Sequence, residues 1–391
     1  KIESSADTAI AHNKGILNVI YLYSNKDITE SSPAFAKIKK KLDNAGIEII
    51  LITGQAILDC AAGYPTVLSC YFGLDLLDDA WFLRNLQISL DDLGRRYNSL
   101  FNIATEAQRN MSVFLRQDEG IRIINEKKKK LLSELQKLRW KCDENYEKII
   151  KILDGAVKRI PDITAQTIYD ALRWADDFRE YGQAVFENLQ VDREEICAKI
   201  EACPKKDSEY EQLRDELGFI EQIIGLPEYL CFQEIEAGYI TNRVLLVTGE
   251  MGTGKSQLLA VSAKKMVTDG QPALLFLGQT YTSDETIEIQ IMKNLEGLGP
   301  GQSFDSVLAV LDEKAYEAGG NAVIFIDAVN ESRNRDIWKS GINRLITEIE
   351  KYERIRLVIS LRTGFEELVL SEKVLLDWEQ GKIAGITHYG F

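Results

Sequence analysis

Short, uninterrupted runs of apolar residues recur after residue 239, separated by longer segments with helical spacing. Their hydrophobicity is continuous rather than alternating, which indicates strands that are buried on both faces. Strands of this kind belong to parallel sheets whose two faces are covered by helices. We therefore expect an α/β fold over residues 239–391. The four runs are Val244–Thr248, Ala273–Leu277, Ala322–Ile326 and Leu357–Ser360.

The first run is followed by a glycine-rich segment, Gly249–Ser256, which fits the pattern G-x-x-x-x-G-K-[ST] and opens a segment with helical spacing. This is the P-loop pattern, in which glycines let successive backbone N–H groups surround a phosphate chain and the following helix adds its positive dipole end. Lys255 is expected to reach the β- and γ-phosphates, and the Ser256 hydroxyl to ligate Mg²⁺. A glycine-rich turn that binds no ligand is the alternative. The residues predicted to line the nucleotide are Gly249, Glu250, Met251, Gly252, Thr253, Gly254, Lys255, Ser256 and Gln257.

A P-loop needs a carboxylate on the metal side of the phosphates, and the run Ala322–Ile326 leads directly into Asp327. At the carboxyl end of a strand, Asp327 would orient Mg²⁺ through water. Capping of a following helix is the alternative role. The next residue is alanine rather than the glutamate that commonly serves as general base. Glu331 is the nearest candidate to polarise the attacking water, and Asn330 is a candidate to hold that water or the carboxylate, although Asn-Glu in a loop is also an ordinary helix cap.

Three arginines are candidates for contact with the γ-phosphate or its surroundings. Arg362 follows the run Leu357–Ser360, and an arginine at the tip of a strand beside the Asp327 strand can stabilise γ-phosphate charge or sense its loss. A salt-bridged surface arginine is the alternative. Arg333 and Arg335 are candidates to act across a subunit interface, and a solvated loop explains them equally well. The candidate catalytic residues are Lys255, Asp327, Glu331 and Arg362.

The composition and the hydrophobic spacing of the sequence change along the chain, and these changes predict four regions. Near the start, two β-rich runs, Ile16–Tyr23 and Ile47–Thr53, flank a helical stretch, Ser32–Ala45, which together predict a βαβ unit. Further on, glycine becomes sparse and apolar residues recur every three or four positions, as in amphipathic helices. The four regions are an α/β segment at 1–82, a linker at 83–103, a helical hairpin or small bundle at 104–238 and the α/β core at 239–391.

Two apolar stripes define the helical region. The first extends from Leu131 to Ile160 and predicts one long helix that Pro161 ends, and the second extends from Ile168 to Leu189. Residues 126–141 contain seven basic and two acidic side chains, a local charge of +5. Contact with nucleic acid is one interpretation, and a solvated helix face is the favoured one.

The overall composition excludes several classes of protein. With 47 Lys+Arg against 61 Asp+Glu, the net charge of −14 disfavours general electrostatic capture of nucleic acid or an anionic membrane. No apolar run approaches the roughly 20 residues that a membrane span needs. Six scattered cysteines and two histidines predict neither a zinc site nor a disulfide scaffold, but reduced thiols in a cytoplasmic protein. The start at Lys1 and the strand–loop pattern before Phe391 indicate a piece of a longer polypeptide.

Five short motifs follow one another in order along the second half of the chain: Gly249–Ser256, Leu277–Tyr281, Ile326–Ser332, Trp338 and Ser360–Arg362. As an ordered set they resemble the STAND NTPases and, more narrowly, the bacterial antiviral group abbreviated Avs. The segment from Trp81–Leu86 to Asp92–Tyr97 also resembles the part of those proteins that precedes their helical and NTPase regions. The resemblance covers roughly residues 80–391.

The resemblance implies a signalling ATPase. Such proteins bind ATP with Mg²⁺, recognise a partner through a C-terminal sensor, form a homo-oligomer such as a tetramer and activate an N-terminal effector. In the antiviral group the partner is a phage protein, and the effector is often an endonuclease that acts on DNA. By position, Lys255 and Ser256 would hold triphosphate and Mg²⁺, Asp327 would be the metal-side acid and Arg362 the sensor arginine. The sensor is expected beyond Phe391.

Residues 1–82 would then be the tail of the effector, and their βαβ pattern is compatible with the later part of a restriction-endonuclease-like fold. They contain no D…ExK arrangement, so the identity of the effector stays open. An ordinary P-loop ATPase or kinase without a defence role is the alternative function, although a kinase poorly explains the long helical region before the glycine-rich segment. A scaffold that binds nucleotide without hydrolysis also stays open, because binding alone can stabilise one conformation.

Overall fold

The structure is a computed structural model, and it divides the chain into two compact units. The first joins Lys1–Asp78 with Leu295–Val310, and the second contains Asp79–Asn294 and Leu311–Phe391. The boundaries predicted from the sequence differ from those of the structure at two places. Asp79 already belongs to the second unit, and Leu295–Val310 belongs to the first. The residues described are 2–12, 16–24, 29, 31–54, 56–57, 77–98, 100, 105–142, 144–204, 208–298 and 302–390.

The first unit contains the predicted βαβ arrangement. Its elements in chain order are α1 (Ile2–His12), β1 (Val19–Ser24), α2 (Pro33–Asp43) and β2 (Glu48–Thr53). The two strands pair in parallel, from Val19 opposite Glu48 to Ser24 opposite Thr53. Helix α2 begins as the sequence predicts, because Ser32 Oγ accepts a hydrogen bond from Phe35 N at 3.4 Å and Pro33 occupies the first turn. Residues 58–76, the rest of the expected effector tail, lie outside the described residues.

The stretch expected to be a linker contains an ordered helix, α3 (Asp79–Leu93), followed by a 3₁₀ turn at Gly94–Arg96. One face of α3 is buried, and Ser89 Oγ donates a hydrogen bond to the carbonyl oxygen of Leu275. The expectation of a linker over 83–103 is thus wrong for residues 83–96, because this helix has its own apolar stripe. Residues 99 and 101–104 lie outside the described residues. The buried apolar side chains are Trp81, Phe82, Leu86, Leu90 and Leu93.

The described residues of the region 104–238 are predominantly helical, as predicted. The long helix expected from Leu131 to Ile160 is instead two helices, because the chain leaves helical geometry after Arg139. Lys128 Nζ, in the middle of the first helix, donates hydrogen bonds to Ile160 O and to Asp162, which lie just beyond the end of the second helix, so the two helices form a hairpin. Each helix carries its own part of the stripe, which explains why the spacing continued across the turn. The helices are α4 (Glu106–Phe114), α5 (Asp118–Arg139), α6 (Glu144–Arg159), α7 (Trp174–Tyr181), α8 (Gln183–Ala202), α9 (Ser208–Ile224) and α10 (Glu234–Thr241).

The basic stretch at 126–141 makes ion pairs with the protein itself. Lys127 pairs with Glu236 at 3.0 Å and Lys128 with Asp162 at 2.7 Å. Lys137 and Arg139 also have carboxylate partners, Glu134 and Glu147. Since four of the seven basic side chains are neutralised locally, these contacts favour the interpretation as a helix face over a nucleic-acid site.

The sheet of the second unit has five parallel strands in the order β4-β5-β6-β3-β7. Every residue of β3 to β6 is buried, which confirms the parallel sheet predicted from continuous hydrophobicity. Strand β7 was not predicted, because it has four residues and includes a glycine. The elements from residue 244 onward are β3 (Val244–Thr248), α11 (Lys255–Thr268), β4 (Ala273–Leu277), α12 (Ile287–Asn294), α13 (Phe304–Glu317), β5 (Ala322–Asp327), α14 (Asp336–Glu350), β6 (Ile355–Ser360), α15 (Glu366–Val369), α16 (Glu372–Glu379) and β7 (Ala384–Thr387). All belong to the second unit except the part of α13 up to Val310.

The strand order brings three loops to one edge of the sheet. Strand β6 pairs with β3 on one side and β5 on the other, and Val358 lies opposite both Leu245 and Phe325. Because the strands are parallel, their carboxyl ends meet at the same edge, where ligands of open α/β sheets bind. Among the helices that the structure describes, none combines the length and apolarity needed to cross a bilayer.

The ends of β4 and β5 approach each other closely at Gly278, and this approach generates a prediction. A Cβ at Gly278 would overlap the carbonyl oxygen of Ala328. We expect Gly278→Ala to destabilise the second unit by about 2 kcal/mol through overpacking, which lowers the thermal unfolding midpoint by roughly 5 °C. Gly218→Ala in α9 is the matched control, because a Cβ there meets nothing within 4 Å. Equal midpoints for the two variants would contradict this account.

Candidate functional site

The glycine-rich loop, residues 249–254, connects the carboxyl end of β3 to the first residue of α11. Gly254 precedes the helix with φ +99°, a left-handed conformation that strongly favours glycine. A Cβ at Gly249 would overlap the carbonyl oxygen of His388, which follows β7. The loop therefore directs the amino end of a helix of 14 residues, with its N–H groups and dipole, into the edge of the sheet.

Lys255 lies folded over this loop. Its Nζ donates hydrogen bonds to Gly249 O at 2.7 Å and to Glu250 O at 2.8 Å. Burial lowers the pKa of the Lys255 ammonium, and the nearby Asp327 carboxylate opposes that shift. Within the loop, Thr253 Oγ1 donates to Glu250 O at 3.0 Å, whereas the Met251 side chain is exposed. The lysine is thus a cation held by two neutral carbonyl groups at the mouth of the loop.

Asp327 ends β5 and is 1% exposed. Ser360 Oγ, at the end of β6, donates to Asp327 Oδ1 at 2.6 Å and accepts from Ala328 N at 2.8 Å. Burial raises the pKa of Asp327, and the hydroxyls of Ser256 and Ser360 partly oppose this. Within the described part of the chain, no partner with hydrogen-bond geometry reaches Asp327 Oδ2, which is buried.

This arrangement fits a hard divalent cation. A buried carboxylate oxygen without a partner and a neighbouring serine hydroxyl are oxygen ligands of the kind Mg²⁺ takes, together with water and phosphate oxygens. Ser256 and Asp327 are therefore the residues that would hold the metal.

Glu331 lies on a 3₁₀ turn, Val329–Glu331, just beyond Asp327. One of its oxygens, Oε2, accepts a hydrogen bond from Arg96 at 2.9 Å, and the second arm of the same guanidinium donates to Gln279 Oε1 at 2.8 Å. Sequence reasoning did not identify Arg96 or Gln279 as site residues. Each lies within a segment that carries the STAND resemblance, which was the one signal available for them.

Asn330 and Arg362 join the loops after β5 and β6. Asn330 Oδ1 accepts from Arg362 N at 2.9 Å, so this amide oxygen aligns the backbone of the neighbouring strand tip instead of holding Glu331. The Arg362 guanidinium lies 5.9 Å from the centre of the Phe365 ring. Arg335 lies over the same ring at 5.1 Å and donates from Nε to Asn330 O at 2.8 Å. Arg333 lines a separate surface cleft that Arg335 also borders.

These side chains converge on one cleft of about 640 Å³. Its charged residues are four cations, Arg96, Lys255, Arg335 and Arg362, and two anions, Asp327 and Glu331. Four minus two leaves a local excess of positive charge in a chain whose net charge is −14. Such a concentration of cations beside a helix amino end is suited to a polyanion.

A second cleft, of about 560 Å³, lies at the carboxyl end of β7. Its walls include Tyr239, His388 and Tyr389, and Tyr239 donates to Gly385 O at 3.0 Å. Because the His388 carbonyl contacts the position of Gly249, this cleft adjoins the start of the glycine-rich loop. This second cleft is therefore an aromatic and polar cavity beside the glycine-rich loop.

No protein-family model matches this chain, and no curated protein is detectably similar to it. What the site does must therefore be inferred from its own residues and their geometry.

The buried charge of Asp327 generates a pH-dependent prediction. Because burial raises its pKa, the folded protein binds more protons than the unfolded chain over a window that starts near the ordinary aspartate value of about 3.9. The free energy of unfolding therefore falls as the pH rises through this window. We expect Asp327→Asn to gain stability relative to the unmodified protein as the pH rises, in urea unfolding without Mg²⁺ or nucleotide. Asp269→Asn, at an exposed helix end, is the control, and an Asp327→Asn difference that is constant with pH would contradict the prediction.

Proposed function

We propose that this chain binds a magnesium nucleoside triphosphate, ATP, in the cleft between the glycine-rich loop and the ends of β5 and β6, and hydrolyses it. The observation that carries the proposal is the convergence of Lys255 and Asp327 beside the amino end of α11. The G-x-x-x-x-G-K-[ST] pattern, the left-handed glycine before the helix and the local excess of cations support it. On this proposal residues 249–256 are a P-loop and the second unit contains a P-loop NTPase core.

The binding step involves a change of partners for Lys255. Its ammonium would leave the two carbonyl oxygens of the loop for the β- and γ-phosphates, because charge-assisted hydrogen bonds are stronger than those to neutral acceptors. The backbone N–H groups at the start of α11 would cradle the phosphates. Mg²⁺, when bound by Ser256 and Asp327, would neutralise charge on the phosphate oxygens.

The hydrolytic step needs a base and a positive charge near the γ-phosphate. Glu331 is the carboxylate in the cleft besides Asp327, and it would accept the proton of the attacking water. Arg362 lines the same cleft from the tip of β6 and would stabilise charge on the γ-phosphate. Asn330 joins the two loops that carry these groups, since it bonds the Arg362 backbone from the residue next to Glu331.

The resemblance to the antiviral STAND proteins extends the proposal from an enzyme to a switch. In this extension the chain is cytoplasmic, a phage protein is the trigger, ATP binding permits homo-oligomerisation, and an N-terminal effector, an endonuclease acting on DNA, is activated. The ordered set of motifs from Gly249 to Arg362 supports it. The alternative is an ordinary P-loop ATPase or kinase without a defence role.

Lys255→Ala tests the binding site. We expect the affinity for magnesium ATP to fall at least about 100-fold, because two charge-assisted contacts worth about 1.5–3 kcal/mol each are lost. Isothermal titration calorimetry measures the affinity, and thermal unfolding establishes that the fold is retained. Lys351→Ala, at an exposed lysine paired with Glu348, is the matched control and should bind as the unmodified protein does. Unchanged binding by Lys255→Ala would remove the loop from the proposal.

The particle mass of the full-length protein tests the switch. In magnesium ATP, addition of phage lysate is expected to convert a monomer into a defined oligomer, and Lys255→Ala should prevent this conversion. Mass photometry or light scattering gives the measurement. A mass that never changes, with steady ATP turnover in the absence of lysate, would favour the ordinary ATPase.

A further inference from the structure

Arg96 enters the cleft from outside the strand–loop–helix elements that form the rest of it. It belongs to the 3₁₀ turn after α3, more than 150 residues before the glycine-rich loop. The backbone of Asn98, two residues further on, is fixed to α11: Gln257 Oε1 accepts from Asn98 N at 2.8 Å and Gln257 Nε2 donates to Asn98 O at 2.7 Å. Lys264 lies 5.8 Å from the centre of the Tyr97 ring. The position of Arg96 is therefore tied to the helix that carries Lys255.

The partners of Arg96 are both at the reacting end of the cleft. One arm of the guanidinium bonds Glu331 at 2.9 Å, and the other bonds Gln279 at 2.8 Å. Glu331 is the residue assigned above as the acceptor of the water proton. While this pair is intact, Glu331 Oε2 accepts a guanidinium proton, so the carboxylate is held against Arg96 rather than directed at a water molecule on the nucleotide.

The ion pair is weak enough to be exchanged. The Arg96 and Glu331 side chains are 34% and 44% exposed, and pairs hydrated to this degree contribute little net stability. A γ-phosphate carries more charge than a carboxylate and presents oxygens that match the fork of a guanidinium. Burial raises the pKa of Asp327, and the charge of Arg96 partly opposes that rise. Arg96 therefore already lies within electrostatic range of the carboxylate that would hold the metal.

We propose that Arg96 is a γ-phosphate-binding arginine that exchanges Glu331 for the terminal phosphate. This rests on the function proposed above. A triphosphate in the cleft draws the guanidinium from Glu331, and the same exchange releases Glu331 to accept the water proton. A diphosphate lacks the group that competes for Arg96, so the Arg96–Glu331 pair persists with it.

The exchange gives the segment before the helical region a way to respond to the nucleotide. Asn98, two residues after Arg96, contacts Gln257, and Gln257 is next to Ser256. Helix α3 precedes it and packs on the sheet through its buried face. Movement of the guanidinium toward the phosphate therefore acts on α3 through the turn Gly94–Arg96.

The test is the ratio of ATP affinity to ADP affinity, measured by titration calorimetry with Mg²⁺. Arg96→Ala is expected to weaken ATP binding about tenfold and to change ADP binding less than about twofold. Arg96→Lys keeps the charge without the fork and should give an intermediate loss. Arg95→Ala, at the adjacent exposed arginine, is the matched control and should leave both affinities unchanged.

A second comparison separates direct contact with phosphate from neutralisation of Glu331. In a Glu331→Gln background the carboxylate charge is gone, so an arginine that only neutralised it would no longer matter. We expect Arg96→Ala to cost about tenfold in ATP affinity in that background as well. No loss there, or an equal loss for ADP, overturns the inference. If the unmodified protein binds neither nucleotide, the proposed function fails with it, whereas binding that depends on Lys255 but not on Arg96 overturns the inference alone.

Discussion

The hydrogen bond from Ser360 to Asp327 is the interaction on which the site depends. It joins the ends of β5 and β6 and holds a carboxylate that is almost fully buried. A buried carboxylate is costly unless its oxygens are satisfied. One oxygen is satisfied by the neighbouring strand, and the other is buried without a partner of its own among the described residues. The fold therefore contains a local electrostatic cost at the point where an oxygen-binding cation would remove it.

Much of this site could be predicted because its chemistry is local in the sequence. The loop 249–254, Lys255 and Ser256 are contiguous, and Asp327 directly follows a buried run. The parallel sheet also followed from local patterns, since continuous hydrophobicity reports burial on both faces. Strand β7 was not predicted because four residues that include a glycine show no recognisable strand pattern. Its pairing with β3 depends on tertiary contacts rather than on local sequence.

What could not be predicted comes from contacts between distant parts of the chain. Arg96 and Glu331 are 235 residues apart, and neither neighbourhood indicates the other. Asn330 has a bond to the backbone of Arg362 that no spacing rule supplies. The prediction of one long helix in place of α5 and α6 failed for a different reason. The apolar stripe keeps the same spacing across the turn, so periodicity alone could not locate the break after Arg139.

The packing of α3 on β4 has a consequence for synthesis of the chain. The hydrogen bond between Ser89 and Leu275 spans 186 residues, so α3 leaves the ribosome well before its partner strand exists. At about 5–20 residues per second, this interval is on the order of 10–40 seconds. During that time Trp81, Phe82 and Leu86 have no sheet to cover them, whereas α5 and α6 can already form their hairpin from local contacts. The element that carries Arg96 into the cleft is thus synthesised long before the strand on which it packs.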